Sequence, residues 1–145
     1  IANKNDVIII HDGIRPLVDS SVLSDVIEKC QRYGNAVTSM PYNEQIFVVD
    51  EHDDSVTKQY IPREKIRRVA TPQAYRFDLL DEKYHEAFEK KIGIYGSAYT
   101  NTMMVDLRVT LPFAAGSDKN IKLTTLDDLE LFKAYLAEDK DNWLK

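Results

Sequence analysis

The sequence predicts an α/β protein in which a mostly parallel sheet is flanked by helices and a β-hairpin protrudes from the sheet. Two observations support this. An apolar run at 7–10 is followed by a helical pattern and then by a second apolar run at 36–40. This order is typical of parallel strands joined by a right-handed crossover. Two short strand patterns, 46–49 and 56–61, are separated by a polar turn at 51–55, which predicts the hairpin.

Composition indicates a single soluble domain. The chain has 145 residues, of which 43% are hydrophobic and 30% are charged, enough for a core without a disordered character. No apolar run approaches the roughly 20 residues that span a bilayer. The net charge of −5 argues against a nucleic-acid surface. With a single cysteine, Cys30, and no internal disulfide, we expect a cytoplasmic protein that contacts neither membrane nor nucleic acid.

The first strand and helix set the frame of the sheet. The strand at 7–10 is apolar on both faces, which is typical of a central strand covered by helices. Because few residues precede it, we expect residues 1–145 to be the C-terminal part of a single domain whose earlier part is missing. Asp19-Ser20-Ser21 offers caps for a helix from about 22 to 33, and Gly34 ends that helix.

Four more elements are predicted after the hairpin. They are a strand at 66–70 that Thr71-Pro72-Gln73 breaks, a helix at 76–90, a strand at 109–115 and a last helix opened by a capping box of Thr125 and Asp128. The inner face of the second helix is expected to carry Phe77, Leu80, Tyr84, Ala87 and Phe88. The alternation at 109–115 puts Val109, Leu111, Phe113 and Ala115 on one side of the strand.

The run His11-Asp12-Gly13-Ile14-Arg15-Pro16 follows the first strand, and ligands of open α/β sheets bind beyond the carboxyl ends of strands. Asp12 is well placed to hold Mg²⁺ against the phosphates of a nucleotide. Arg15 can make a two-pronged contact with phosphate oxygens. The same spacing also fits an Asp and an Arg that only cap and pair at the end of the strand.

Two other segments carry polar groups. The stretch at 116–125 has a second carboxylate, Asp118, together with lysines and hydroxyls just before a helix N-terminus, where donors and positive potential gather. Lys122 is the residue expected to face a phosphate. A polar turn before a capped helix fits the same stretch. The third segment, at 70–73, is more often a structural stop than a site.

These three segments, in this order, resemble the methylerythritol-phosphate and ribitol-phosphate cytidylyltransferase family. The likeness rests on the motifs at 11–16, 70–75 and 118–129 and extends over nearly the whole chain. It implies a Rossmann-like fold, of which this chain would be the C-terminal part. It also implies nucleotidyl transfer, in which a polyol phosphate attacks the α-phosphorus of CTP to give a CDP-alcohol and pyrophosphate. Such products serve isoprenoid, cell-wall or capsule biosynthesis.

The resemblance assigns roles to residues of this chain. Asp12, Arg15 and Lys122 would be catalytic, with Arg15 and Lys122 on the substrate phosphate. Asp12 would bind Mg²⁺ or substrate hydroxyls, and Asp118 would be a second ligand of the Mg²⁺. The substrate-binding residues would be Gly13, Thr71 and Thr124. The partners implied are CTP, a polyol phosphate and a second copy of the chain, joined through a dimerisation arm at about 43–65.

Two departures from the family pattern refine the expectation. The family opens with a glycine-rich nucleotide loop that bears an arginine and a lysine, and nothing before Ile1 supplies it, so we expect this chain alone to be inactive. The segment Glu44-Gln45-Ile46-Phe47 lacks the basic residue of the methylerythritol-phosphate enzymes, and Asn101 stands where the family often has an acidic residue. The ribitol-phosphate type is similar to this version of the segment at 44–47, so ribitol 5-phosphate is favoured over 2-C-methyl-D-erythritol 4-phosphate.

Two alternatives remain open at this point. One is a non-catalytic, truncated module that keeps the arm and dimerises or binds a partner. The other is a nucleotide-sugar enzyme that uses another base.

Overall fold

The computed structural model describes residues 3–96 and 99–143. Within these ranges the chain forms strands, α-helices and one short 3-10 helix, Arg63–Lys65. The strands and α-helices are, in chain order, β1 Val7–Ile10, α1 Ser20–Tyr33, β2 Asn35–Pro41, β3 Ile46–Val49, β4 Thr57–Ile61, β5 Arg67–Arg76, α2 Phe77–Lys90, α3 Thr100–Asp106, β6 Phe113–Ala115 and α4 Leu126–Trp143. No helix in the described part of the chain is long and apolar enough to cross a membrane.

The main sheet has four strands in the order β1-β5-β2-β6. β2 and β6 are parallel, whereas β5 is antiparallel to both β1 and β2. β1, β2 and β6 therefore run in one direction, and the predicted α/β fold with a mostly parallel sheet is confirmed. The crossover from β1 through α1 to β2 steps over β5, an insertion that the sequence pattern does not predict.

In residues 3–96 and 99–143, β1 lies at the edge of the sheet, whereas the expectation of a central position concerned a longer domain. β1 pairs with β5 on one side only and is the edge strand. Val7, Ile8 and Ile10 are half-buried, and Ile9 is exposed, with 40% of its surface accessible. No further strand in residues 3–96 and 99–143 covers the other edge, so the apolar pattern of β1 exceeds what its observed position requires.

The predicted break at Thr71-Pro72-Gln73 does not occur, because β5 runs through it to Arg76. The Thr71–Pro72 peptide bond is cis. Proline cannot donate a ladder hydrogen bond, and the register of β2 shifts opposite it, between Val37 and Ser39. Thr38 lies at this shift, and its hydroxyl donates to the carbonyl of Pro72 at 2.6 Å. The strand thus accommodates the proline through a local irregularity.

Helices cover both faces of the sheet. On one face, Val26 and Cys30 of α1 pack against Ala36, Ala74 and Ala114. On the other face, α2, α3 and the turn after α3 contribute buried residues that meet the sheet at Val37 and Tyr75. These residues are Ala87, Met103, Met104 and Leu107. Neighbouring residues of β2 and β5 therefore point into different cores, which explains why residues 35–40 of β2 and 70–75 of β5 are buried.

Several local expectations need correction. Helix α3 was not anticipated, and β6 is only three residues long, with Ala114 buried while Phe113 and Ala115 are exposed. Phe88, expected on the inner face of α2, keeps 65% of its surface exposed. Asp19 is the N-cap residue of α1 but makes no side-chain capping bond. Gly34 does end α1, with a left-handed φ of 88° that suits glycine.

The predicted hairpin is confirmed as a separate two-stranded sheet, β3-β4. Phe47 pairs with Tyr60 across it, with ring centroids 6.5 Å apart. These rings keep 56% and 66% of their surface exposed. The hairpin therefore presents aromatic surface that the described residues do not cover.

Cys30 should resist thiol reagents in the folded chain. Its side chain is fully buried, and burial raises the pKa of the thiol to about 11, so little reactive thiolate forms near pH 8. We expect labelling by a disulfide reagent to proceed only as the chain unfolds and to become fast in urea. A Tyr33→Cys variant in a Cys30→Ser background is the control, since Tyr33 is exposed on the same helix. Equal labelling rates for the two thiols under native conditions would contradict the observed packing of α1.

Candidate functional site

The three polar segments meet at the carboxyl end of β1. The N–H of Asp12 donates to the hydroxyl oxygen of Thr71 at 2.9 Å, which joins the first segment to β5. The side-chain amide of Asn120 donates to the carbonyl of Thr71 at 2.7 Å, which joins the third segment to the same residue. The N–H of Leu123 donates to the carbonyl of Ile14 at 2.9 Å. Segments that are far apart in the sequence are thus fixed against one another.

A carboxylate between two cations forms the centre of this cluster. The Oδ2 atom of Asp12 lies 3.2 Å from Nε of Arg15 and 3.7 Å from Nζ of Lys122. Arg15 also donates through Nη1 to the carbonyl of Asn120 at 2.8 Å, and its side chain is only 14% exposed. The cluster carries a net charge of +1, and a guanidinium has five N–H donors. It is therefore suited to binding an anion with several acceptor oxygens.

The other predicted site residues are placed differently. Gly13 lies beside Asp12, and a side chain at that position would meet nothing within 4 Å. Thr124 is engaged in capping, because its N–H and its hydroxyl both donate to Oδ2 of Asp128. Asp118 pairs with Arg68 of β5. Asp12, Arg15, Lys122 and Thr71 are thus brought together, whereas the bonds that Thr124 and Asp118 make are to residues outside this cluster.

Two residues at the site were not assigned roles from the sequence. Asn120 links Thr71 to Arg15 through its side chain and its carbonyl. One ring nitrogen of His11, Nε2, lies 2.9 Å from the carbonyl of Arg15 and fixes the turn. An asparagine in a polar stretch has no signature of burial, so its tertiary contacts were needed to find it. His11 belongs to the motif at 11–16, which by itself assigns the imidazole no role.

The donor set fits a magnesium ion only partly. In the described ranges, no three His, Cys, Asp or Glu residues are grouped closely enough to hold a metal ion. Mg²⁺ is often held by one or two carboxylates together with substrate phosphates. Asp12 fits that mode, since its carboxylate is 35% exposed and only its Oδ2 atom carries the two ion pairs. Asp118 fits less well because Arg68 already neutralises it.

The capping box before α4 is confirmed. The N–H of Thr125 donates to Oδ2 of Asp128 at 2.8 Å, and the N–H of Asp128 donates to the hydroxyl oxygen of Thr125 at 3.2 Å. Hydrogen bonds hold the pKa of Asp128 at about 2, below its usual range. The N–H of Thr124 is the largest cause, and the bonds of Thr125 are the next largest. This charged cap fixes the direction in which α4 leaves the segment that carries Lys122.

The chain is similar to cytidylyltransferases in sequence and in structure. A family model described as 2-C-methyl-D-erythritol 4-phosphate cytidylyltransferase matches residues 1–138. A ribitol-5-phosphate cytidylyltransferase of Lacticaseibacillus paracasei is 65% identical over 93% of this chain and 57% of its own length. A 2-C-methyl-D-erythritol 4-phosphate cytidylyltransferase of Syntrophus aciditrophicus is 31% identical over 97% of this chain and 58% of its own length.

A solved structure gives the same likeness. The crystal structure of 2-C-methyl-D-erythritol 4-phosphate cytidylyltransferase from Thermus thermophilus matches 89% of this chain and 61% of its own chain, with a TM-score of 0.75 and 26% identity. The present chain thus spans less than two thirds of the length of these relatives.

The capping box should make stability depend on pH in acid. The pKa of Asp128 is lowered in the folded chain. The contribution of its carboxylate to the free energy of unfolding is therefore fully present above its pKa in the unfolded chain, about 4, and is lost as pH falls toward about 2. Asp128→Asn should lower the free energy of unfolding in urea at pH 7. The difference in the free energy of unfolding between the variant and the parent should become smaller from pH 4 to pH 2.

Asp127→Asn is the matched control for this test. Asp127 lies in the same first turn, but its carboxylate makes no hydrogen bond among the described residues. A gap of the same size at pH 7 and pH 2, or an equal effect of the control substitution, would contradict the role of Asp128 in the cap.

Proposed function

Because the chain belongs to the 2-C-methyl-D-erythritol 4-phosphate cytidylyltransferase family, we propose that the protein carrying it transfers a cytidylyl group from CTP to a polyol phosphate. A phosphate oxygen of the polyol phosphate attacks the α-phosphorus of CTP. The bond from that phosphorus to the β-phosphate bridging oxygen breaks, and pyrophosphate leaves with the electron pair. The observation that carries the proposal is the grouping of Arg15 and Lys122 around Asp12.

In this proposal the chain supplies the acceptor side of the reaction. Arg15 and Lys122 bind the phosphate of the polyol phosphate and neutralise part of its charge, so that its oxygen can approach another phosphorus. Asp12 holds both cations in place before the substrate arrives. Reactions of this kind depend mostly on positioning and on stabilisation of developing charge, which a preorganised cluster provides without reorganisation.

Magnesium belongs to the same proposal. When bound, Mg²⁺ would supply positive charge that offsets the negative charge on the phosphates of CTP. Asp12 is the residue that would hold it, with Asp118 as a predicted second ligand. The chain's own cations, Arg15 and Lys122, remain the groups assigned to the acceptor phosphate.

Ribitol 5-phosphate is the acceptor we favour. The relative named ribitol-5-phosphate cytidylyltransferase is 65% identical to this chain, whereas the methylerythritol-phosphate relative from Syntrophus aciditrophicus is 31% identical. The start of the hairpin, at 44–47, carries no basic residue, in line with the ribitol-phosphate type. 2-C-methyl-D-erythritol 4-phosphate is the next candidate.

We further propose that the hairpin joins two copies of the chain. Its exposed aromatic pair, Phe47 and Tyr60, adjoins an open groove of about 620 Å³ that Ile61 and Arg63 also line. None of Asp12, Arg15 or Lys122 lines this groove. Exposed apolar patches that are larger than a single side chain often mark interaction sites. A hairpin that leaves its own sheet can be covered by the same hairpin of a second copy.

The activity is tested with Lys122→Ala in a polypeptide of the relatives' length that contains this chain. Removing one charge-assisted contact, worth about 1.5–3 kcal/mol, should lower kcat/KM for ribitol 5-phosphate by roughly 10- to 100-fold. Pyrophosphate release from CTP in the presence of Mg²⁺ is the measurement. Lys119→Ala is the control, because Lys119 lies three residues away, 5.9 Å from the ring centroid of Tyr135.

One result would overturn the proposed reaction, and another would overturn only the place assigned to the acceptor phosphate. If the unsubstituted polypeptide releases no pyrophosphate with either polyol phosphate, the proposed reaction is wrong. If Lys122→Ala and Lys119→Ala behave alike, the reaction stands but the acceptor phosphate binds elsewhere. Calorimetry of the present chain with CTP and with ribitol 5-phosphate then distinguishes two alternatives. Part of a cytidylyltransferase would bind at least one of these ligands, and a non-catalytic module would bind neither.

The hairpin proposal is tested by the mass of the chain in solution. A double variant, Phe47→Ala with Tyr60→Ala, should shift sedimentation equilibrium from dimer to monomer at micromolar concentration, because the variant removes the exposed aromatic pair. Phe88→Ala is the control, since Phe88 is equally exposed but lies on α2. A monomeric unsubstituted chain, or an unchanged mass in the double variant, would overturn the proposed arm.

A further inference from the structure

Asn120 is buried although its neighbours in the loop are not. Only 2% of its surface is exposed, whereas Lys119 is exposed and Ile121 is half-buried. The loop around it has no regular structure beyond tight turns, in which the N–H of Asn120 donates to the carbonyl of Ser117. A polar side chain in such a loop would ordinarily face solvent, so its burial calls for a physical reason.

Its two polar groups hold two different segments of the site. The side-chain Nδ2 donates to the carbonyl of Thr71 at 2.7 Å, a buried hydrogen bond to β5. The main-chain carbonyl of the same residue accepts from Nη1 of Arg15 at 2.8 Å. The side chain therefore fixes the place of the carbonyl, and the carbonyl fixes the guanidinium. Thr71 in turn accepts from the N–H of Asp12, which closes the loop of contacts.

The other half of the amide is left unsatisfied. Oδ1 of Asn120 is buried and has no hydrogen-bond partner among the described residues. A buried acceptor without a partner is a cost to folding. The fold bears this cost for an amide whose N–H₂ group links β5 to the segment that carries Lys122. This combination indicates that the donor half of Asn120 matters to the site rather than to packing alone.

We propose that Asn120 is the positioning residue of the acceptor-phosphate site, and that it acts by linking Arg15 to Thr71, which keeps the guanidinium beside Asp12. The inference rests on the proposed function for its substrate, ribitol 5-phosphate. Asn120 does not touch the substrate. It sets the direction of the guanidinium and the place of the strand end, so its loss leaves the charges present but no longer preorganised.

The test compares two substitutions with a matched control. Asn120→Ala removes the side chain, and Asn120→Asp keeps its size but cannot donate to the carbonyl of Thr71 when ionised. Asn35→Ala is the control, because Asn35 is also buried, donates through Nδ2 to a carbonyl, that of Thr110, and has an unpartnered Oδ1. Asn35 pairs with Tyr75, roughly 13 Å along β5 from Thr71.

Two readouts distinguish positioning from mere stability. In the longer polypeptide, both Asn120 variants should raise KM for ribitol 5-phosphate about tenfold, as for one well-placed hydrogen bond, with KM for CTP unchanged. In the present chain, the NMR signal of the Arg15 Nε–H should be sharp in the parent and broadened in both variants. Asn35→Ala should lower the melting temperature as much as Asn120→Ala while it alters neither readout.

The outcomes separate this inference from the function on which it rests. An unchanged Arg15 signal and an unchanged acceptor KM in the Asn120 variants overturn the positioning role, even if turnover occurs. Loss of the signal in a protein that converts neither polyol phosphate overturns the proposed function and keeps Asn120 as the residue that holds Arg15. If Asn35→Ala shifts the acceptor KM equally, the effect is one of general stability and the inference fails.

Discussion

Thr71 accepts two hydrogen bonds on which the rest of the site depends. Its hydroxyl oxygen receives the N–H of Asp12, and its carbonyl receives the amide of Asn120. Both are possible because β5 continues past the proline and brings Thr71 alongside the end of β1. A strand that stopped at residue 70 would leave the segments at 11–16 and 118–123 without a common partner. The antiparallel insertion of β5 is thus the feature of the fold that assembles the site.

Electrostatics follows from this assembly. A carboxylate that neighbours two cations holds them close without cancelling both, so the cluster keeps one positive charge for an anion. Arg15 is mostly buried, and its guanidinium is held from two sides, by Asp12 and by the carbonyl of Asn120. Lys122 is more exposed and farther from Asp12. The arginine therefore provides the fixed part of the site, and the lysine provides a charge that can move to meet a phosphate.

Local patterns in the sequence predicted much of the fold, but not its pairing. The end of α1 at Gly34, the hairpin and the capping box at Thr125 depend on neighbours in the chain, and all three were confirmed. The place of β5 between β1 and β2 depends on contacts across about 60 residues, which periodicity cannot encode. A proline in a strand pattern predicts a stop from its local effect alone, whereas here the register of β2 shifts opposite the proline and β5 continues. Asp12, Arg15 and Lys122 were found through their motifs, but Asn120 acts through tertiary hydrogen bonds alone.

Thr71 and Thr124, both predicted from the sequence to bind substrate, differ in whether their hydroxyl can still donate a hydrogen bond. The hydroxyl of Thr124 donates to Asp128, so its hydrogen is used and its oxygen offers only lone pairs, which a phosphate dianion cannot use. The hydroxyl of Thr71 accepts from Asp12 and, among the described residues, donates to no acceptor. Its hydrogen remains available for an oxygen of a ligand beside Arg15. Of the two, Thr71 is therefore the residue with a donor to offer, and the capping of α4 explains why Thr124 is not.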